Sequence, residues 1–329
     1  MKNIIIVTGG AGFIGSNLIE LLLKKTSDRI ISLDNIDQKK INFFKANCED
    51  FEMMKKITKN VDILCHAAAF AHEGLSSFSP VLITNNNVTG SVSVFTAAIV
   101  NKVKRIVYCS SMARYGNIKI PFREEDELNP VDPYGVSKVA AENILKILSK
   151  THGIEYNIAV PHNIIGPNQK YDDPFRNVVS IMINLMLQNK KPIIYGDGNQ
   201  KRTFSDIDDC IYCLDKLLTD PQIVSQTVNI GPDEEYVSIN QLYHLLSNKL
   251  KFNLEPKYLE DRPNEVKEAT CSADKARKVL GYKTSVSLDE SLNKIINYIK
   301  EKGPKDFQYN YPLEINNEKT PTAWKEKLF

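Results

Sequence analysis

An α/β architecture, with a doubly wound parallel sheet and a smaller α+β lobe built onto it, follows from three features of this sequence. Short apolar runs alternate with longer amphipathic ones through the first half, a glycine-rich turn joins the first run to the second, and the composition changes near residue 166. Strands that alternate with helices of this length pair in parallel, because each crossover returns the chain to the same edge. The expected strands, in order, are "NIIIVT", "RIISLD", "VDILCHA", "VKRIVYCS" and "YNIAVP". Helical periodicity marks "GSNLIELLLKK", "SVSVFTAAIVNK" and "YGVSKVAAENILKILSKT". Right-handed crossovers then place the carboxyl ends of the strands together, on the edge where ligands bind in such sheets.

The alternation stops at "GPNQKYDDPFRN", a polar stretch rich in turn formers. Residues 1–165 are therefore read as a dinucleotide-binding domain. Residues 166–302 form mainly a substrate-binding lobe, from which the chain can cross back to the first domain. The remainder, 303–329, carries three prolines and the single tryptophan and reads as an extended tail packed on the body or on a partner subunit.

Composition narrows the function. With 42 basic and 40 acidic side chains the formal charge is +2, which leaves no electrostatic footprint for nucleic acid or a membrane surface. The opening "MKNIIIVTGG" is too short an apolar run for a signal peptide, and no stretch approaches the ~20 apolar residues that cross a bilayer. Six scattered cysteines suit a reducing cytoplasm. Cys210 and Cys213 form a C-x-x-C, but on a helical pattern with no second ligand pair, so no metal is expected.

"VTGGAGFIG" places Gly9, Gly12 and Gly15 between the first strand and the first helix, a Rossmann-type turn. Such a turn needs glycine where backbone approaches a pyrophosphate, and the helix amino end attracts the anion. Asp34 closes the second strand nineteen residues after Gly15. A carboxylate there accepts from both ribose hydroxyls and repels a 2′-phosphate, which favours NAD over NADP.

The series "TGGAGFIGSNL", "LDN", "HAAA", "NNNVTG", "SSMARYG", "YGVSK" and "YGDGNQKRTF" resembles, in composition and order, the extended short-chain dehydrogenases/reductases. The likeness is greatest to their nucleotide-sugar epimerase/dehydratase branch, notably the UDP-glucose and UDP-N-acetylhexosamine 4-epimerases, and runs from residue 1 to about 300. By this resemblance Gly9, Gly12, Phe13, Ile14 and Gly15 cradle the NAD pyrophosphate, and Asp34 and Asn35 hold the adenosine ribose. Asn47 and Cys48 flank the adenine, where the family pattern has an acidic residue in place of the Asn. Ala67, Ala68, Ala69 and Pro161 line the nicotinamide side, and Asn87 braces the cofactor loop or caps a helix. Pro161 and His162 stand in place of the usual Tyr–Phe.

Tyr134 and Lys138 lie four apart, on one face of a helix. A nearby ammonium and a positive nicotinamide ring favour the phenolate, so Tyr134 is the expected base, with Lys138 also holding the nicotinamide ribose. Ser111 occupies the family's Ser/Thr position and hydrogen-bonds the reacting oxygen. Family dehydratases place an Asp–Glu pair directly after that position, and decarboxylases place a glutamate two residues before the following Tyr–Gly. Here Met112 and Ala113 stand there, and neither can move a proton. The ketone made by oxidation is then left to rotate and take hydride back on its other face, which is epimerisation. Arg114 has no assigned role.

On the substrate side the resemblance gives Asn163, Asn177, Arg202 and Arg262 to the diphosphate and the helix that binds it, and Glu265 to the nucleotide ribose. His72 and Glu73 fall on the loop over the sugar, with His72 as the expected contact. Ala269 occupies a position where a bulky residue excludes an N-acetyl group, so UDP-GlcNAc or UDP-GalNAc fits beside UDP-glucose. The function implied is an NAD-dependent 4-epimerase of a UDP-hexose, forming a homodimer through a four-helix bundle. A dehydratase, decarboxylase or 4-keto reductase of the same substrate class stands as the alternative, and an NAD-sensing binding module as the non-enzymatic one.

Overall fold

The computed structural model describes residues 2–35 and 42–329. The five expected strands are present as β1 (Ile4–Thr8), β2 (Arg29–Asp34), β4 (Ile63–His66), β5 (Arg105–Cys109) and β6 (Glu155–Pro161), and a sixth beyond those expected, β3 (Asn42–Lys45), follows β2. A seventh, Gln226–Ile230, is added from far along the chain. The sheet order is Gln226–Ile230, β6, β5, β4, β1, β2, β3, and every pairing is parallel. Chain order reverses between β1 and β4, so a crevice opens above their carboxyl ends.

Alternation along each strand explains why both faces need helices. Ile5, Val7, Cys65, Val107 and Cys109 point to one side, against Leu18 and Leu22 of α1 (Phe13–Lys25). Ile6, Leu64, Ile106 and Tyr108 point to the other. There they meet Met54 of α2 (Phe51–Ile57). Two short helices follow β4, α3 (Glu73–Ser76) and α4 (Pro80–Thr84). Further along that face lie Phe95 of α5 (Gly90–Val100) and Leu145 of α6 (Pro133–His152). α6 begins where Asp132 accepts a hydrogen bond from Gly135 N (2.8 Å) with Pro133 at its first position, and it stops at Gly153, which has φ +69°.

The division at 165 is not a clean cut in space. α7 (Val178–Leu187) belongs to the second lobe, packed with the helices Ile239–Leu250 and Leu288–Lys302 around Met182, Leu242 and Leu292. The next helix, α8 (Ile207–Thr219), crosses back to cover the sheet beside α1. Its Cys210 and Cys213 are fully buried in that core as free thiols, behaving as small hydrophobes. Segment 303–329 is packed on the body, with Trp324 buried against Phe78 and Phe175.

Arg114, unassigned from sequence, is buried and pairs with the equally buried Glu142 of α6 (3.2 Å). Ser110 donates to the other oxygen of the same carboxylate. Removing one member of such a pair strands the other charge in the interior. Arg114→Met should lower unfolding free energy by about 3–5 kcal/mol in urea titrations, and Arg114→Met with Glu142→Leu should recover most of it.

Candidate active site

The crevice above the switch point continues into one cleft, running from the glycine turn to the second lobe. All the residues expected above to hold cofactor or substrate line it except His72 and Asn87.

At the dinucleotide end the turn has no room for side chains. Gly9 has φ +71°, and a Cβ there would stand 2.7 Å from Ala68 N. A Cβ on Gly15 would come within 2.2 Å of Gly9 O. Gly12 caps α1 without a side chain, so the helix presents its amino end to the cleft. One Asp34 oxygen accepts from Ala11 N (2.9 Å), which fixes the carboxylate against the turn. These residues fit a dinucleotide. Asn87 is buried and reaches the cleft indirectly. Its Oδ1 accepts from Phe70 N (3.0 Å), and its Nδ2 donates to Phe70 O (3.3 Å) and Ser137 Oγ (3.2 Å). It thereby ties the loop after β4 to α6, from inside a π-helical turn, and caps no helix.

In the middle of the cleft stand Ser111, Tyr134 and Lys138. Lys138 is buried, donates to Cys109 O (2.9 Å), and its ammonium stands 5.7 Å from the Tyr134 ring centre. Burial lowers its pKa to about 8, against the opposing pull of Cys109 and Glu142. Below it, His66 bonds Thr8 Oγ1 (2.7 Å) and Ser91 Oγ (2.9 Å), and burial keeps it neutral with a pKa near about 3. Without a positive nicotinamide ring beside it, the ammonium does not bring the phenol below its ordinary range. Burial dominates and holds Tyr134 above the ordinary phenol range, with Glu73 and Asp132 adding to it. Hydrogen bonding from Ser111 and the charge of Arg176 act the other way without prevailing.

At the far end two guanidinium groups share one carboxylate. Arg202 Nη2 donates to Glu265 Oε1 (3.1 Å), while Arg262 donates from Nε (2.9 Å) and Nη2 (2.6 Å) to Oε2. Glu265, expected at a ribose, is engaged first in holding the arginines. Arg262 also lies 4.9 Å from the Tyr195 ring centre. Asn163 adopts φ +39° and donates to Thr203 O (3.1 Å). Asn177 Oδ1 accepts from Val179 N (3.0 Å), opening α7 toward the cleft.

His72 does not reach the sugar end. Its ring is fully buried, with Nε2 3.1 Å from Asp173 Oδ2, and it packs beneath Tyr311. A one-residue difference in a short turn exchanges the two side chains, so Glu73 faces the cleft instead. Glu73 is exposed to the open cleft yet hemmed in by protein on its sides. That crowding, followed by the charge of Asp132, raises its pKa to about 7 despite Arg202 and Arg262. Sequence reasoning also missed Asp132 and Arg176, both on the cleft wall. Asp132 carried a signal, since Asp-Pro before a helical run is a capping pattern.

Residues 5–231 match the NAD dependent epimerase/dehydratase family. A UDP-glucuronic acid decarboxylase of Arabidopsis thaliana is 30% identical over 302 residues, covering 88% of this chain and 86% of its own. The UDP-glucose 4-epimerase of Thermotoga maritima, solved with UDP-glucose, superposes with a TM-score of 0.84 at 29% identity, over 91% of this chain and 99% of that one. The UDP-glucuronic acid 4-epimerase of Bacillus cereus, solved with UDP-glucuronic acid and NAD, gives 0.85 at 27%, over 91% and 100%.

An ammonium held from 10.5 down to about 8 by burial is destabilised by about 3 kcal/mol. Losing its bond to Cys109 O offsets ~1 kcal/mol of that. Lys138→Met should therefore stabilise the fold by about 2 kcal/mol at pH 7, read by calorimetry. The folded-state pKa is the lower one, so the unfolded chain binds more protons between the two values and parental stability rises with pH there. The advantage of the variant should shrink as pH climbs from about 8 toward 10.5.

Proposed function

Since the chain belongs to the NAD-dependent epimerase/dehydratase family, with NAD as its cofactor, we propose that it inverts C4 of a UDP-hexose through a transient 4-keto sugar. The observation that carries this reading is the grouping of Tyr134, Lys138 and Ser111 in one cleft between the glycine turn and the paired arginines. The arginines take the diphosphate by bidentate donation, for which guanidinium is suited. Asn163 and Asn177 stand along the same wall.

Gly9, Gly12 and Gly15 with the amino end of α1 hold the NAD pyrophosphate, and Asp34 the adenosine ribose. Bound there, NAD supplies the acceptor for the C4 hydride and the positive ring that a burial-raised phenol needs in order to ionise. Tyr134 removes the C4 hydroxyl proton, and Ser111 donates to the same oxygen as it becomes a carbonyl. Lys138 keeps a positive charge at the base. Met112 and Ala113 offer no proton at the next position. Return of hydride to the opposite face, with the proton returned by Tyr134, completes inversion without net redox change.

Glu73 supports a second reading. A carboxyl with a pKa near about 7 in the same cleft could serve the proton transfers of a 4,6-elimination. The products separate the two. Small Ala269 on the wall admits an N-acetyl group, so both UDP-glucose and UDP-GlcNAc are candidates. α5 and α6 pack together, and Val136 and Ile147 of α6 are exposed, which supports pairing of two copies through these helices.

Incubation with UDP-glucose, UDP-GlcNAc and UDP-glucuronic acid in turn, with products resolved by NMR, should show gluco–galacto interconversion. A 4-keto-6-deoxy sugar or a pentose would overturn the epimerase reading. Tyr134→Phe should lower kcat by about 10²–10⁴-fold while leaving NAD bound, as loss of a proton-transfer group does.

A further inference from the structure

Segment 303–329, beyond the residues matched to the family, is anchored on both sides of the cleft. On the second lobe, Asn184 Nδ2 donates to Lys305 O (2.8 Å) and Gln308 N to Asp172 O (2.8 Å). A few residues on, Ser79 Oγ donates to Pro312 O (2.5 Å) and Ile315 N to Phe78 O (2.9 Å) on the first domain. Glu314 there accepts from the amino end of α4, at Val81 N (2.8 Å) and Leu82 N (2.9 Å). Between the two sets of anchors Tyr311 enters the cleft wall.

Its position is at the reacting end. The ring packs edge-on to Phe70 (5.4 Å), which directly follows Ala67–Ala69, and stands on buried His72 (4.6 Å). Arg176 acts on both the Tyr311 and Tyr134 phenols, so the two lie around a common neighbour. The arginines that suit a diphosphate lie beside Tyr195, which packs against the same buried cluster as Tyr311.

We propose that segment 303–329 is a wall of the substrate cleft and that Tyr311 is a specificity-determining residue contacting the hexose of a UDP-sugar. The inference rests on the nucleotide-sugar reading above. The strap fixes the two lobes at one separation, and the ring it carries sets the space left for the sugar.

The test is titration calorimetry on the NAD-loaded protein with UDP-glucose, UDP-GlcNAc and UDP alone. Tyr311→Ala should weaken both UDP-sugars by about tenfold, the scale of a buried aromatic contact, and leave UDP within about twofold. Tyr311→Phe should bind like the parent. UDP-sugar affinities unchanged in Tyr311→Ala, or UDP falling in step with them, overturn the proposal. A parent protein that binds UDP but neither UDP-sugar overturns the nucleotide-sugar reading itself, and the inference with it. Should Tyr311→Ala fail to fold, Glu314→Gln loosens the same strap at α4 without lining the cleft. It should weaken the UDP-sugars by about threefold with UDP unchanged, the scale of one displaced contact, and equal binding of all three ligands by parent and variant overturns the proposal.

Discussion

A buried ammonium group, hydrogen-bonded to the carboxyl end of a strand, is the interaction on which the proposed relay rests. Lys138 Nζ reaches Cys109 O at 2.9 Å because α6 packs on the sheet beside β6, and α6 starts where Asp132 and Pro133 cap it. Burial makes the charge expensive, and Glu142 on the same helix helps to hold it. Glu142 is in turn held by Arg114 and Ser110. Buried polar contacts therefore tie the turn after β5 to α6, the helix that also carries Tyr134 and Lys138. Deleting Arg114 or Ser110 leaves part of the Glu142 carboxylate unpaired in the interior.

The tyrosine is held in the opposite sense from the lysine. Its surroundings favour the neutral phenol, through burial first and then through two carboxyl groups in the same cleft. In the proposed relay, a base prepared in this way would be inert until positive charge arrives beside it, which would restrict its ionisation to the complex that uses it. Fold and site share this logic: the sheet's switch point brings the dinucleotide cradle and the strand end bearing Ser111 to one edge, and the second lobe brings the arginines to meet them.

Local patterns in the chain revealed a great deal. The glycine spacing, Asp34 after the second strand and the four-residue interval from Tyr134 to Lys138 are short-range features whose geometry follows from strand and helix periods. All of these residues line the cleft. What was illegible depends on contacts between distant positions. Gln226–Ile230 joins the sheet at β6 although about 65 residues separate them, and nothing local marks that return. Arg114 looked like a stray charge because its partner lies 28 positions along the chain. The exchange of His72 for Glu73 at the cleft was decided by Asp173, which captures the imidazole from the other lobe. Tyr311 had no motif at all, since its place follows from the anchors on either side of it.

The central claim is that a single proton-and-hydride relay operates at C4, with no second carboxyl drawn into the chemistry. The most direct measurement is turnover in D₂O, with the hexose analysed by mass spectrometry after several passes of equilibrium. A relay that returns the same hydride leaves the carbon skeleton free of solvent deuterium, so the mass of the hexose stays unchanged. Deuterium at C5 or C6 would mean that Glu73 or another group moves protons on carbon, and would contradict the account.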